Sequence, residues 1–546
     1  MPVLVQTSRL RLLRSYRLVF CLALIPNPAI CFAGPAQTTS NPGASQYAEQ
    51  GLRLAQSGDL IKAEAYLRRA LELAPENSAY LADLGGILGL EQKLEESTVY
   101  LSKALHLDPH NSEARRNLAA SQWELGRLEE AKSNLEIVLK EKPGDLPATL
   151  ILGMVCESLK DYTQAAKLLT SVPGLVASRP ESIVALARSY YNTGQKEKAQ
   201  GTLHSLLATA TRPGWYAGIF SGGIAAANAR DYATAEVLFS SIRTVYPDQA
   251  VLSYNLALAQ YSSGDYRASQ RTLLEAVDAG HQTSEILNLL AWCYQKQNEP
   301  REAVKAFERA IDHDPTAESN RLDLVTALFD DGLSQEALAA AKQTTHTLPG
   351  SSAAFRLQGL IELRLGHFTE AIASYGRAVE LKSSDPEAVL GLAVAQSSAG
   401  FTAQAAATYE QALRRFPSDT RFYVRYAALL LTPSASNAEA SESQAETLLR
   451  HAIALHASVF EAHYQLGNLA LRKGNAREAL EEFTTAARLR PDNPKVHFAL
   501  QRTYRRLGRT EDARRELALY QQSSNAHDAA NETLFPAGTH SERDQP

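Results

Sequence analysis

Apolar side chains recur along this chain at helical spacing, and they recur in rows. Set out from Ala44 in rows of 34, the sequence places apolar residues at positions 4, 7, 8 and 11, then at 20, 24 and 27. Residues three and four apart share one face of a helix, so each row predicts two amphipathic helices. The stretches "YLRRALELAPEN" (Tyr66 to Asn77) and "YLSKALHLDPHN" (Tyr100 to Asn111) show the repeat directly. With small drifts, fourteen rows fit, and the twentieth place holds twelve alanines and two serines, from Ala63 and Ser97 to Ala513.

Other columns say what joins the helices. The fifteenth place is glycine nine times, at Gly58, Gly126, Gly194, Gly264 and onward to Gly508. That is where the first helix must stop, and glycine takes the left-handed backbone conformation without steric cost. The thirty-second place is proline eight times, as at Pro75, Pro109 and Pro491, and proline cannot continue the second helix. Alanine at the twentieth place lets the second helix come close to the first. The twenty-fourth place is bulky and apolar in every row but one, which has Ala341. One such pair cannot cover its own apolar face, so neighbours must stack to make a core.

On these columns the chain resembles the tetratricopeptide repeat family, whose unit is a 34-residue helix–turn–helix. The resemblance implies an all-α fold, a right-handed superhelical α-solenoid of about fourteen repeats. It covers residues 44–179 as repeats one to four, 180–419 as five to eleven, and 420–523 as twelve to fourteen. The pattern breaks at "TSVPGLVASRP" (Thr170 to Pro180), where a kink near 173–180 is expected, and at "TRPGWYAG" (Thr211 to Gly218). A polar insertion near 433–442, within "LTPSASNAEASESQ", reads as a long turn inside the twelfth repeat. Residues 34–43 read as a flexible linker and 524–546 as a disordered tail.

Composition changes this picture little, except at the N-terminus. The chain has 546 residues, 45% apolar and 21% charged, with a net charge of −5. Its first 33 residues carry Arg9, Arg11, Arg14 and Arg17 and no acid, ahead of the apolar run "LVFCLALI" and a small residue, Ala33. This segment, 1–33, reads as a secretory signal peptide and predicts an exported protein, periplasmic or secreted. A transit peptide leading to an organelle is the alternative. The run is too short to span a bilayer, so no membrane span is expected after cleavage. A mildly acidic remainder argues against general nucleic-acid binding. Cys156 and Cys293 sit in different repeats and read as small buried residues.

Candidate chemistry is sparse. No phosphate-binding, dinucleotide, zinc-hydrolase or nucleophile-elbow motif is present, so no cofactor or metal is expected. "IDHDPT" (Ile311 to Thr316) is a repeat corner, and His451, His456 and His463 straddle a repeat boundary. The repeats also leave no stretch of about 100 residues for a catalytic domain, so the chain is not expected to be an enzyme.

The resemblance implies that first helices line a groove, with places 2, 5, 6, 9, 12 and 13 facing a bound peptide. Carried onto this sequence, the middle of the array is aromatic there: Phe220, Tyr254, Leu258, Tyr261 and Trp292, with Asn255 as a hydrogen-bonding amide. The family's lysine–asparagine carboxylate clamp is not assembled by any three successive rows. Charges in the last row, "RTYRRLGRTEDARRELALYQQ", read as a solubilising cap. The expected function is a non-catalytic scaffold for protein or peptide partners. A structural periplasmic subunit of a polysaccharide or protein export machine, and a substrate-recruiting arm for a separate transferase, remain alternatives.

Overall fold

The computed structural model describes residues 42–210, 212–432 and 438–534, with the side chains of 438 and 525–534 left aside. Among them are twenty-nine α-helices, which form fourteen antiparallel pairs and one short extra helix, Pro173–Ala177. The leader, residues 1–33, lies outside the described residues, as does most of the linker. The described chain divides into two compact units, one ending at His313 and the other starting at Asp314.

Local chemistry sets each boundary. In the first repeat the helix Pro42–Gln56 turns into Leu60–Leu73 through Gly58, at φ +87°. All nine glycines of the fifteenth place have positive φ. Five repeats lack that glycine, and in four of them Gln92, Lys160, Arg230 and Asn298 adopt the same left-handed backbone, at φ between 59° and 71°. The turn geometry is therefore imposed by packing, and the residue conforms at a steric cost. In many rows the closing residue caps the next first helix. Asn77 Oδ1 accepts from the amides of Ala79 and Tyr80, Asn111 Oδ1 from that of Ala114, and Asp145 Oδ1 from that of Ala148.

Packing within a pair joins two columns that look independent in the sequence. The eighth place is small because the twenty-fourth place fills it. A Cβ on Gly85 would stand 2.6 Å from Leu101 Cγ, one on Gly223 2.5 Å from the Phe239 ring, and one on Gly467 2.6 Å from that of Phe483. Phe239 and Phe483 are fully buried by that fit. The two serines of the twentieth place keep the spacing and satisfy themselves. Ser97 Oγ donates to Gly85 O at 2.7 Å and Ser269 Oγ to Ala257 O at 2.8 Å.

Four segments singled out in the sequence are placed as follows. The break near 173–180 does not interrupt the core: Val172 and Val176 are buried in one cluster with Leu150, Ile183 and Leu206. The extra helix plugs the space left by the short helix Tyr162–Thr170. Within the run 180–419 the boundary between the two compact units falls after His313. The insertion is shorter than expected, since the helix Ala438–Leu455 already includes 438–442; residues 433–437 lie outside the described residues. The last helix, Thr510–Leu534, takes up the first part of the segment expected as a tail, and 535–546 lie outside the described residues.

Candidate functional site

The first helices carry the surface on which the family resemblance places ligands. In the middle of the first unit, packing takes up much of that surface. Phe220, Tyr254, Asn255 and Leu258 are all buried. Phe220 stacks on Tyr246 at 4.6 Å between ring centroids and tilts against Phe239 at 5.3 Å. Tyr254 and Leu258 join Ile286, Leu289 and Cys293 of the next first helix in one cluster. Asn255 Nδ2 donates to Val251 O at 2.8 Å, back along its own helix, so it is not a free amide for a ligand. These four side chains stand buried in the packing between helices.

Small residues lie close to Phe220 in the sequence. A Cβ on Gly218 would lie 2.2 Å from Pro180, and one on Gly222 3.1 Å from Leu206. With no side chain at Gly218, the helices Pro180–Asn192 and Tyr216–Asn228 come close beside Phe220, while Tyr254 is covered by Ile286 and Leu289 of Ser284–Lys296. Tyr261 and Trp292 keep part of their surface. Tyr261 meets Tyr266 edge-on at 5.2 Å and Trp292 meets Phe307 edge-on at 5.6 Å. The structure thus gathers Tyr254, Leu258 and Tyr261 about one cluster, with Phe220 in another.

An open apolar face occurs instead in the second unit, where aromatic content gave no cue. On the helices Glu318–Asp330, Ser352–Arg364 and Pro386–Ser398, the groove places hold Leu322, Phe329, Leu357, Leu360, Leu363 and Leu390, all part-exposed. Their signal in the sequence is leucine at the fifth, sixth, ninth and twelfth places of consecutive rows. Arg356 on the same face is tied to Asp385 at 3.4 Å.

Burial shifts several ionisable groups among the described residues. Burial pushes the Cys156 thiol up to about 11 and the Cys293 thiol up to about 12, so neither supplies a thiolate near neutrality. Burial, with the Glu113 carboxylate beside it, pushes Asp83 up to about 7. Burial likewise raises Glu181. Among the described residues no three histidine, cysteine, aspartate or glutamate side chains come together to hold a metal. No described helix is long and apolar enough to cross a membrane.

Models of the tetratricopeptide repeat match residues 47–77, 90–152, 181–210, 226–293, 284–317, 322–386, 362–430, 434–494 and 470–531. The chain belongs to the tetratricopeptide repeat family. Among solved structures it is similar to the APC/C hetero-tetramer Cut9–Hcn1, at 12% identity and a TM-score of 0.34, over 84% of this chain and 96% of that one. It is also similar to MamA, residues 41 to the end, from Desulfovibrio magneticus RS-1, at 20% identity and a TM-score of 0.28, over 32% of this chain and 97% of that one. No curated protein matches the chain. As a tetratricopeptide repeat protein it is a scaffold of a kind that binds other proteins, and the part-exposed leucines of its second unit lie on the first-helix face.

Proposed function

We propose that this tetratricopeptide repeat protein is a non-catalytic adaptor that holds segments of partner proteins along the first helices of its second unit. The observation that carries this is the row of part-exposed apolar side chains, Leu322, Leu357, Leu360 and Leu390 among them, on three consecutive first helices. Each is sheltered enough to be held in place and open enough to gain from burial under a partner, at about 25 cal/mol per Å². Helices already packed need no ordering on binding, which removes part of its entropic cost. The basic, acid-free leader and its apolar run support an exported location for this activity.

The test is position-dependent crosslinking in the native host. A photoreactive side chain at Leu360 is expected to capture the same discrete partner as one at Leu357. One at Ile61, 78% exposed on a second helix, is expected to capture none of it. Equal capture from Leu360 and Ile61 would remove the proposal.

A further inference from the structure

The last repeat carries a charged face that the cap reading does not account for. Between Pro494 and Glu516 the acids are Glu511, Asp512 and Glu516. All three are engaged: Glu511 by Arg514, Asp512 by Arg509 and Arg515, and Glu516 by His497. Arg506 donates to Leu471 O at 2.6 Å. Lys495, Arg502 and Arg505 are left, exposed and without an ion pair among the described residues.

These three cations lie on one stripe. Residues 495, 498, 502 and 505 follow one another at intervals of three and four, so they share a face of the helix Pro494–Arg506. Phe498 stands among them, 46% exposed, its ring tilted against Tyr520 at 5.5 Å. The Arg502 guanidinium sits 6.0 Å from its centroid. An exposed aromatic thus stands beside three cations with no ion pair among the described residues, in a chain with net charge −5. The stripe belongs to the first-helix layer, because the faces committed to packing are those of Val496, His497, Ala499, Leu500 and Thr503.

We infer that this stripe is a docking site for an acidic polypeptide segment with an apolar anchor. The inference rests on reading first-helix faces as docking surfaces, and it adds the chemical class of one ligand. Charge complementarity selects carboxylates, which the arginines can grip in bidentate fashion, and the Phe498 ring selects an apolar side chain between them. The stripe runs about 15 Å along the helix, the reach of roughly five residues of extended chain. Nucleic acid draws its affinity from many phosphate contacts, and three cations supply few. A bilayer surface would need several exposed apolar residues on one face, and this face has one.

The experiment uses the full chain and a fluorescein-labelled peptide of alternating glutamate and leucine, read by anisotropy. The peptide binds, and its glutamine-for-glutamate counterpart binds at least tenfold more weakly. Arg502→Glu with Arg505→Glu lowers affinity at least tenfold, with circular dichroism unchanged because both residues are exposed. Phe498→Ala lowers it severalfold, and Arg301→Glu, an exposed cation elsewhere, leaves it unaltered. Equal binding of the two peptides, or no effect of the double variant, overturns the inference. So does tighter binding of a thymidine oligonucleotide, or of phosphatidylglycerol vesicles, abolished by the same double variant. Crosslinking at Leu360 separates the two readings. If it persists while the double variant changes nothing, the adaptor stands and the acidic-segment site falls. If the peptide depends on Arg502 and Arg505 while Leu360 captures nothing, the reverse holds.

Discussion

The ring of Tyr375 occupies the space where Gly391 would carry a side chain: a Cβ there would lie 2.2 Å from Tyr375 Cε1. The same ring fills the space beside Gly359 in its own repeat, at 2.9 Å from the corresponding point. One side chain thus joins both helices of its pair to the next pair. Gly391→Ala forces the ring or a helix to move, and overpacking of this kind costs about 1–3 kcal/mol. Urea unfolding followed by circular dichroism should show that loss, and Tyr375→Leu in the Gly391→Ala background should recover part of it. Additive losses would mean the two residues do not share a space.

The left-handed turn predicts a gain. Lys160 holds φ 64° where nine other repeats use glycine, and no packing demands its side chain there, since it is exposed. Lys160→Gly should stabilise the chain by about 1 kcal/mol. Gly126→Ala, at φ 78°, should destabilise it by a similar amount. Thermal melts of the two variants against the parent check both signs.

Two carboxyls set opposite pH behaviour. Asp83 is pushed up to about 7 from 3.8, so between those values the folded chain keeps a proton that the unfolded chain has lost. Stability from this group is present at low pH and falls as pH rises toward 7. Asp83→Asn should therefore gain on the parent across that range and hold its advantage above it. Glu64 behaves the other way. Burial opposes its ionisation, but hydrogen bonds from Lys93 and Arg68 prevail and hold it at about 2. Its contribution is complete above about 4.5 and is lost as pH falls toward 2, so Glu64→Gln should weaken the chain at neutrality and match the parent in strong acid. Melting temperatures from pH 2.5 to 8, as a pH series for each variant, decide both.

His463 and His497 predict equivalent losses from equivalent places. In each, Nε2 donates to a carbonyl six residues back, Ala457 O at 3.1 Å or Pro491 O at 2.6 Å. In each, Nδ1 meets a carboxylate on the following helix, Glu482 at 2.6 Å or Glu516 at 2.8 Å. Replacing either histidine by alanine leaves a sheltered carboxylate and carbonyl without that partner, at a cost of about 1–3 kcal/mol. Urea midpoints should fall for both variants; an unchanged midpoint for His463→Ala would show that water replaces the ring freely.

Much of this architecture was legible because columns repeat. Gly58, Ala63 and Pro75 each mark a boundary or a close approach, and the structure uses them as such. What the columns could not convey is how far neighbouring pairs close on each other. Phe220 and Tyr254 stand at groove places, yet both rings are buried, Phe220 against Tyr246 and Phe239 and Tyr254 in the cluster with Ile286 and Leu289. Leu322 and Leu360 also stand at groove places, and they stay part-exposed. Exposure in a stacked array depends on the volume of residues one row away, which no single column records. The link between the eighth and twenty-fourth places was visible only as two separate preferences, until Gly467 was seen against Phe483.

Hydrogen exchange along the second unit, with and without Gly391→Ala, bears most directly on a chain held together by contacts between neighbouring pairs. In such an array, disturbing one junction loosens the pairs that share it and leaves distant pairs protected. Amides of 352–415 should lose protection in the variant, while those of 460–506 keep theirs. A uniform loss over both segments would show that the unit opens as one globule, and the open first-helix face would then have no independent support.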